Sequence, residues 1–547
     1  MSKMTKLLST GYDIIMELKS VSGEEVIYED HRKERLHNIV LWLEELCNHQ
    51  RLYYVPKQYG ETGPVKVFVK DETSEGVPAQ VRFFPVNSGG PEQKADGGLG
   101  EINIIREITD WNGKLEAVLP AGDYMAEISK GSEYEINTVY FSVYPNREAR
   151  LIQELIPITH LKADGWYSGD LHHHSIYSSP VYNGTDPVIE SPAQVCRSMA
   201  AMGASYGALS DHHNILNHKE WSALKRDSFT PVISKEISTS NGHVMALGAD
   251  EDIIYRIPVK ENRTDTYLRN EFIRISDEIK KLGGVAQINH PKDSNKSISW
   301  NNNFDDIIQI FDTMEIWNGS NPMIKGSPNY KAFLLWRRLL EEGRFIPATS
   351  GSDTHNILAD DYHVYYNKLN WLAGLIINGG LSLPETLKDE AVSFLKLYQE
   401  MKPVFHKWLG SNLTSAGVRT YVQVKGEITQ DKLLAGLKKG NSFLTNGPIL
   451  IPDIDGMLPG DTVRRKADKI SIRLKLLSNR PLKKLTIHTN GNRIRNYPLE
   501  PADTGKGTYD YSRILSGIDI KNVKWMFFTA EEDCTNMAIT NPIFFVR

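Results

Sequence analysis

The chain lacks the features that mark several protein classes. It has only three cysteines in 547 residues, Cys47, Cys196 and Cys534, far apart and with no CxxC pair. That argues against a disulfide framework and against a cysteine-based zinc site. No uninterrupted apolar run approaches the ~20 residues that a membrane span needs. The opening stretch "MSKMTKLLSTGYDIIMELKS" has neither an apolar core nor a cleavage site of the secretory kind. A cytoplasmic protein is therefore expected, though a trimmed chain would read the same. The formal charge of -5 is small for this length and argues against a protein built to coat nucleic acid. There is no internal repeat, no low-complexity tract, no G-x-x-x-x-G-K-[ST] phosphate loop and no G-x-S-x-G nucleophile elbow. A serine hydrolase is not expected.

The length implies two to four domains, and the apolar and charged fractions are those of a globular protein. Residues 1–60 read as a helical segment: "HRKERLHNIVLWLEELCNHQ" puts Leu36, Ile39, Val40, Leu43 and Leu46 on one face, a docking or dimer helix that leaves a homo-oligomer open. Residues 61–160 alternate polar and apolar in short runs broken by Gly, Pro and Asn, which predicts a β-sandwich. From 161 to 452 strand-like runs alternate with helices. "SPAQVCRSMAAMG" carries Ser191 as N-cap and Pro192 at the first helical position, and "TQDKLLAGLKKG" runs from Thr429 to a Gly440 stop. This alternation predicts an α/β barrel or doubly wound sheet, interrupted by a helical insertion at about 356–416. Short strands return over 453–547 as a second β-sandwich.

What is abundant is histidine, and its placement is uneven. Ten of the 16 histidines lie within 172–363. Asp211 and His212 follow "YGALS", Glu236 ends "PVISKE", His290 follows "GVAQIN", and Asp353 and His355 follow "FIPATSG". A parallel β/α architecture gathers the C-terminal ends of its strands on one face, so these segments deliver imidazoles and carboxylates to one cup. His243, after the turn that follows Glu236, reaches the same rim. Alternate side chains of an extended strand share a face. In "GDLHHHS", His172 and His174 therefore point together and His173 points away; Asp353 and His355 in "SGSDTH" form a second two-ligand clip. Imidazole plus carboxylate suits Zn, Mn or Fe. A lone histidine at a strand end is more often a hydrogen-bonding residue, and that reading is kept for His173, His213, His218, His160 and His488.

"GDLHHHS", "LSDHHN", "KEISTSNGHVMALG", "INHPK" and "SGSDTH" stand in the order of the motifs of the polymerase and histidinol phosphatase (PHP) domain, which the chain resembles over roughly 160–450. With "LLAGLKKGNSFLTNGP" after the last motif and sandwiches on either side, it looks like the CehA/McbA-like branch of PHP metallohydrolases. The "LPAGDYMAEISKG" segment resembles a transthyretin-like or carboxypeptidase-regulatory sandwich. The PHP resemblance implies a distorted (β/α)7 barrel. It implies a first metal held by His172, His174, Glu236 and Asp353, and a second, bridged by Glu236, with His243 and His290. A third position would use His212 and His355. The family supplies a further ligand just after the first motif; here the segment reads "SIYSSPVYNG", and neither Ser179 nor Pro180 is a good ligand. One to three divalent ions (Zn, Mn or Fe) is the expectation.

Two cations sharing a carboxylate lower the pKa of a bridging water and stabilise an oxyanion. The expected function is metal-dependent hydrolysis of a phosphoester by a metal-bridging hydroxide, with Glu236 and Asp353 central. The alternative is a carbamate, amide or ester hydrolase of the same branch. A further alternative is a non-catalytic glycan- or protein-binding module on a degenerate barrel. Asp211 is expected to orient His212, and Asp170 the first clip. His213 and His363 are the candidates for general acid. Lys292 either places positive charge on an anionic group or is a surface lysine, and Asn318 is a candidate substrate donor. The expected partner is a small or medium-sized anionic substrate, with no membrane and no nucleic acid.

Overall fold

The computed structural model describes residues 61–86, 105–179, 182, 188, 190–256, 264–295, 298–355, 392, 396, 415–499, 508–532 and 536–547. The expected N-terminal helix, nearly all of the expected insertion, Pro180 and His363 lie outside the described residues.

The first unit is two stacked sheets built from β1 (Thr62–Lys70), β2 (Gln80–Pro85), β3 (Ile105–Ile108), β4 (Lys114–Pro120), β5 (Gly122–Ser129), β6 (Asn137–Val143) and β7 (Ala149–Glu154). One sheet has the order β4-β1-β7, the other β3-β2-β5-β6. Strict alternation in "PVKVFVK" turns Val65, Val67 and Val69 inward, where they meet Val81, Phe83, Ala126 and Ile128 of the opposite sheet.

The second unit carries the histidines. In chain order it comprises β8 (Trp166–Asp170), α1 (Pro192–Ala201), β9 (Tyr206–Leu209), α2 (His218–Ala223), β10 (Thr230–Thr239), β11 (Gly242–Leu247) and α3 (Asp265–Lys281). It continues with β12 (Val285–Asn289), β13 (Thr313–Asn318), α4 (Pro328–Glu341), β14 (Ala348–Gly351), β15 (Arg419–Gln423), α5 (Gln430–Lys439) and β16 (Ser442–Thr445). The helices begin where their caps dictate: Ser191 and Gln194 form a capping box ahead of α1, and Thr429 caps α5, which ends at left-handed Gly440. Their apolar faces pack on the sheet, and Phe272 of α3 and Trp336 of α4 join Met314 and Ile316 of β13 in one buried cluster. Each such side chain contributes roughly 1.5–3 kcal/mol on burial.

The strands run β14-β13-β12-β11-β10-β9-β8-β15-β16. β8, β9 and β10 are parallel, as are β12, β13 and β14. β11 is antiparallel to both β10 and β12, and β15 is antiparallel to β8 and to β16. The sheet curls until its ends meet: Asp353 N–H donates to the His172 carbonyl (2.8 Å) and His174 N–H to the Thr354 carbonyl (3.1 Å). Ser350 N–H donates to Thr420 Oγ1 of β15 at 3.0 Å. The distorted (β/α)7 barrel expected from the resemblance is shown only in part, as a curled mixed sheet with few helices. The reason is local. β10 continues past Glu236 to Thr239 and turns through Ser240–Asn241 directly into β11, with no helix between. Among the described residues, no helix is long and apolar enough to cross a membrane.

The C-terminal strands are β17 (Ile449–Asp453), β18 (Thr462–Arg464), β19 (Lys469–Ser478), β20 (Leu482–Thr489), β21 (Arg493–Pro498), β22 (Tyr509–Asp510), β23 (Arg513–Asp519), β24 (Trp525–Glu532), β25 (Met537–Thr540) and β26 (Ile543–Val546). A small sheet of β17, β19, β22 and β23 packs on β20, β24, β25 and β26 through Ile472, Leu474, Leu485, Ile487, Phe528 and Ala538. The larger layer is continuous with the curled sheet, because β25 pairs with β16. Asn541 ties the two further. Its amide donates to the Ala348 carbonyl (2.9 Å) and to Ser442 Oγ (2.8 Å), and its oxygen accepts from Ala348 N–H (2.8 Å).

Candidate metal centre

The ends of β8, β9, β12 and β14, with the β10–β11 hairpin, converge on one carboxylate. Glu236 lies inside β10 rather than at its end, is 1% exposed, and has imidazoles on both of its oxygens. Oε1 lies 3.1 Å from His243 Nδ1, 3.1 Å from His290 Nε2 and 2.8 Å from Asn289 Nδ2. Oε2 lies 3.2 Å from His212 Nδ1, 3.4 Å from His172 Nε2 and 3.5 Å from His174 Nε2. Asp353 Oδ1 completes this second group, 3.2 Å from His172 Nε2 and 3.1 Å from His174 Nε2. His355 stacks on His174 with ring centroids 4.2 Å apart. Ligand atoms of His174, His212 and His355 come within 4.8 Å of one another, as do those of His172, His174 and Glu236, of His172, His290 and Asp353, and of His212, Glu236 and His243. All eight ligand candidates read from the sequence are thus brought together.

Hairpin register accounts for His243. It pairs with Ser238 across β10–β11, so it shares a sheet face with Glu236, two residues from Ser238. His290 and Asp353 hold φ of 25° and 53°, outside the range most side chains favour. Such strain is kept where surrounding bonds over-determine the backbone.

Burial opposes ionisation of Glu236, but His172, His243 and His212 outweigh it and hold its carboxyl well below the usual range. Asp353 behaves likewise: burial is overcome by His172, His174 and His355. Burial also disfavours charge on His172 and His290. For His172 the carboxylates Asp353, Glu236 and Glu315 prevail and raise it well above the ordinary value; His290 is raised to about 9, chiefly by Glu236. His174 goes the other way, pushed down to about 3 by burial and by the neighbouring His355 and His212.

The hydrogen bonds behind the donors fix which nitrogen each presents. Ser178 Oγ has one hydrogen, which it donates to Asp211 Oδ1 at 2.7 Å. It accepts from His212 N–H at 3.1 Å, and its 2.8 Å contact with His174 Nδ1 must then be an acceptance too. His174 therefore carries its hydrogen on Nδ1 and presents a lone pair at Nε2. His355 Nδ1 faces the Asp353 carbonyl at 2.8 Å, an acceptor only, with the same consequence. Asp211 is accordingly not the orienting partner of the His212 ring, as expected from the sequence. Its carboxylate is taken by Ser175, Ser178 and Asn217, and it reaches the donors through Ser178. Asp170 accepts from the backbone N–H groups of His172, Ser352 and Ala416, so it fixes the chain of the first clip rather than its rings.

His173 is buried away from the donors, between the His174 carbonyl (2.8 Å) and Ser415 Oγ (2.7 Å). His213 is exposed, with its ring 5.7 Å from that of His212. His218 bonds the Ser234 carbonyl and His488 bonds Thr529 while stacking on Phe527; His160 is exposed. Lys292 donates to Asn302 Oδ1 and forms no bond with the donor cluster. Asn318, expected to face substrate, instead donates to Asp353 Oδ2 (3.0 Å) and Glu315 Oε2 (3.2 Å). Glu315 itself is the residue the sequence reading missed. The signal was an acid in the apolar strand run "MEIWN", where an ionisable group is rarely buried without partners.

The donor set fits a divalent ion. It is all imidazole and carboxylate, and it leaves His172 Nε2, which faces Glu236 and Asp353, buried without a hydrogen-bond partner.

No protein-family model matches the chain, and no curated protein matches it. Among solved structures it is similar to a proposed metal-dependent phosphoesterase from Bifidobacterium adolescentis, with 15% identity over 34% of this chain and 87% of that one and a TM-score of 0.26. An amidohydrolase from Chromobacterium violaceum, solved with sulfate and no metal, has 17% identity over 34% and 87%, with a TM-score of 0.24. A 3-chlorocatechol 1,2-dioxygenase from Rhodococcus opacus has 12% identity over 18% and 60%, with a TM-score of 0.16. At such scores the likenesses are too low to assign an activity, and the functional reading rests on the side-chain geometry.

Proposed function

We propose that this protein is a divalent-metal-dependent hydrolase of the PHP type that cleaves a phosphoester. The observation that carries the reading is the division of imidazoles between the two oxygens of buried Glu236. His172, His174, Glu236 and Asp353 would hold one ion, and Glu236, His243 and His290 a second; His212 and His355, with His174 beside them, offer a third position. Bound there, divalent ions supply Lewis acidity, lowering the pKa of water and offsetting charge in the transition state.

The chain's own residues prepare that chemistry. Glu236 and Asp353 stay ionised despite burial. His174 stays neutral, with its lone pair directed by Ser178 and Asp211. Asn318 orients the far oxygen of Asp353, and preorganisation of this kind removes reorganisation cost from the reaction.

The test is elemental analysis of untagged protein purified without added metal, followed by phosphoester and carbamate panels with Zn, Mn or Fe. Bound metal and metal-dependent phosphoester cleavage are expected, and Glu236→Ala should lose both. Full activity in rigorously metal-free protein would overturn the reading. Cleavage of carbamates, amides or esters but not phosphoesters would assign the alternative substrate class to the same centre.

A further inference from the structure

Glu315 is fully buried in β13 and touches two of the chain segments that build the centre, those of His172 and His290. Oε1 lies 3.0 Å from His172 Nδ1. Oε2 accepts from the His290 backbone N–H at 2.8 Å and from Asn318 Nδ2 at 3.2 Å, and the same amide nitrogen lies 3.0 Å from Asp353 Oδ2. Glu315 lies behind His172, on the Nδ1 side, whereas Glu236 and Asp353 face Nε2. As a carboxylate it only accepts, so in the neutral ring that binds a metal His172 Nδ1 must donate, and the lone pair falls on Nε2, the atom that has no hydrogen-bond partner.

We propose that Glu315 is the positioning residue of this centre: it fixes the His172 tautomer and thereby sets the affinity for a divalent ion. The inference rests on the metal reading above.

Bond bookkeeping makes the near-isosteric Glu315→Gln variant informative. The Oε2 position faces a backbone N–H, which cannot turn round, so the amide oxygen of a glutamine must go there. Its NH2 then faces His172 Nδ1, which is forced to accept. The hydrogen of His172 moves to Nε2, and the ligand lone pair is lost, with side-chain volume almost unchanged. A purely structural glutamate would leave metal affinity intact once the fold is kept.

The experiment is zinc affinity by chelator competition, on full-length wild type and Glu315→Gln stripped of metal, with thermal melting of both metal-free proteins. Expected is a loss of roughly 10–100-fold in zinc affinity, the scale of partners that orient ligands from behind, with melting close to wild type. Equal zinc affinity in a folded variant overturns the role of Glu315 alone. No zinc binding by the wild type overturns the metal reading and this inference with it. If the variant does not fold, imidazole 15N shifts of the zinc-loaded wild type decide: ligation through His172 Nε2 with a protonated Nδ1 supports the proposal, and ligation through Nδ1 overturns it.

Discussion

Replacing Gly351 by alanine tests whether the packing of β14 and the geometry of the centre are one thing. Gly351 ends β14 and pairs with Asn318. A Cβ built on it would lie 2.3 Å from His172 Cβ, 2.9 Å from His172 N and 2.8 Å from Glu315 Oε1. Carbon atoms in contact sit about 3.5–4.0 Å apart, so the shortfall against His172 Cβ is over ~1 Å. None of these atoms is the loose end of a flexible side chain: two are fixed to the backbone and the third is held by His172 Nδ1. The strand or the clip must therefore move by about 1 Å. Overpacking of this kind costs about 1–3 kcal/mol. For a unit of this size that lowers its melting temperature by about 2–10 °C. The same displacement moves His172 against Asp353, two residues further along, and a shift of ~1 Å at such a site costs on the order of 100-fold in rate. Calorimetric melting of the metal-free protein and zinc affinity should fall together. A variant that melts like wild type, or one that melts lower yet binds zinc with unchanged affinity, would refute the reasoning.

Other expectations follow from the same atoms. Ser178→Ala should weaken zinc binding by about 10-fold, since His174 Nδ1–H loses its acceptor, and should cost about 1–3 kcal/mol for the buried donor left unpaired; chelator competition and denaturant melts read both. The donor cluster of the metal-free protein should contribute most to stability near pH 6.5. Below that value the unfolded chain takes up protons that the depressed His174 (about 3) and, lower still, the depressed Glu236 and Asp353 refuse, so stability falls with pH. Above it the sign reverses. The raised His172 and His290 keep protons that the unfolded chain has lost, and their contribution fades as pH rises through about 9 for His290. Metal uptake at pH 7 should accordingly release protons, measurable by calorimetry in two buffers of different ionisation enthalpy; no proton release would refute the assignment of charge to His172 and His290.

The donors were legible in the sequence because chemistry and position coincided. His212, His290 and Asp353 each sit just past a short apolar run, and such runs become strands whose ends share a rim. The His172–His174 clip followed from the two-residue period alone. What sequence could not give depends on partners distant in the chain. Asn318 looked like a free donor at a strand end, yet its amide is committed to Asp353 and Glu315. Asp211 adjoins His212 but serves Ser178, 33 residues away, together with Ser175 and Asn217. Glu315 was hidden by its apolar neighbours, since its role exists only once β8, β12 and β14 are assembled. The β/α alternation was over-read between β10 and β11 because a hairpin and a helical crossover can join equally apolar strands, and only the short "STSNG" turn, too short for a crossover, distinguishes them.

The Asn541 clasp on Ala348 bears on how such a chain can diversify. An appended module that touches its neighbour only through a linker can be lost or exchanged while the catalytic unit persists. Here the last strands extend the curled sheet through β16 and hold the first residue of β14, the strand that leads into Asp353. Recombination at this junction would strip a sheet edge and loosen a ligand in one event. The C-terminal strands are therefore part of the frame that holds Asp353 in place.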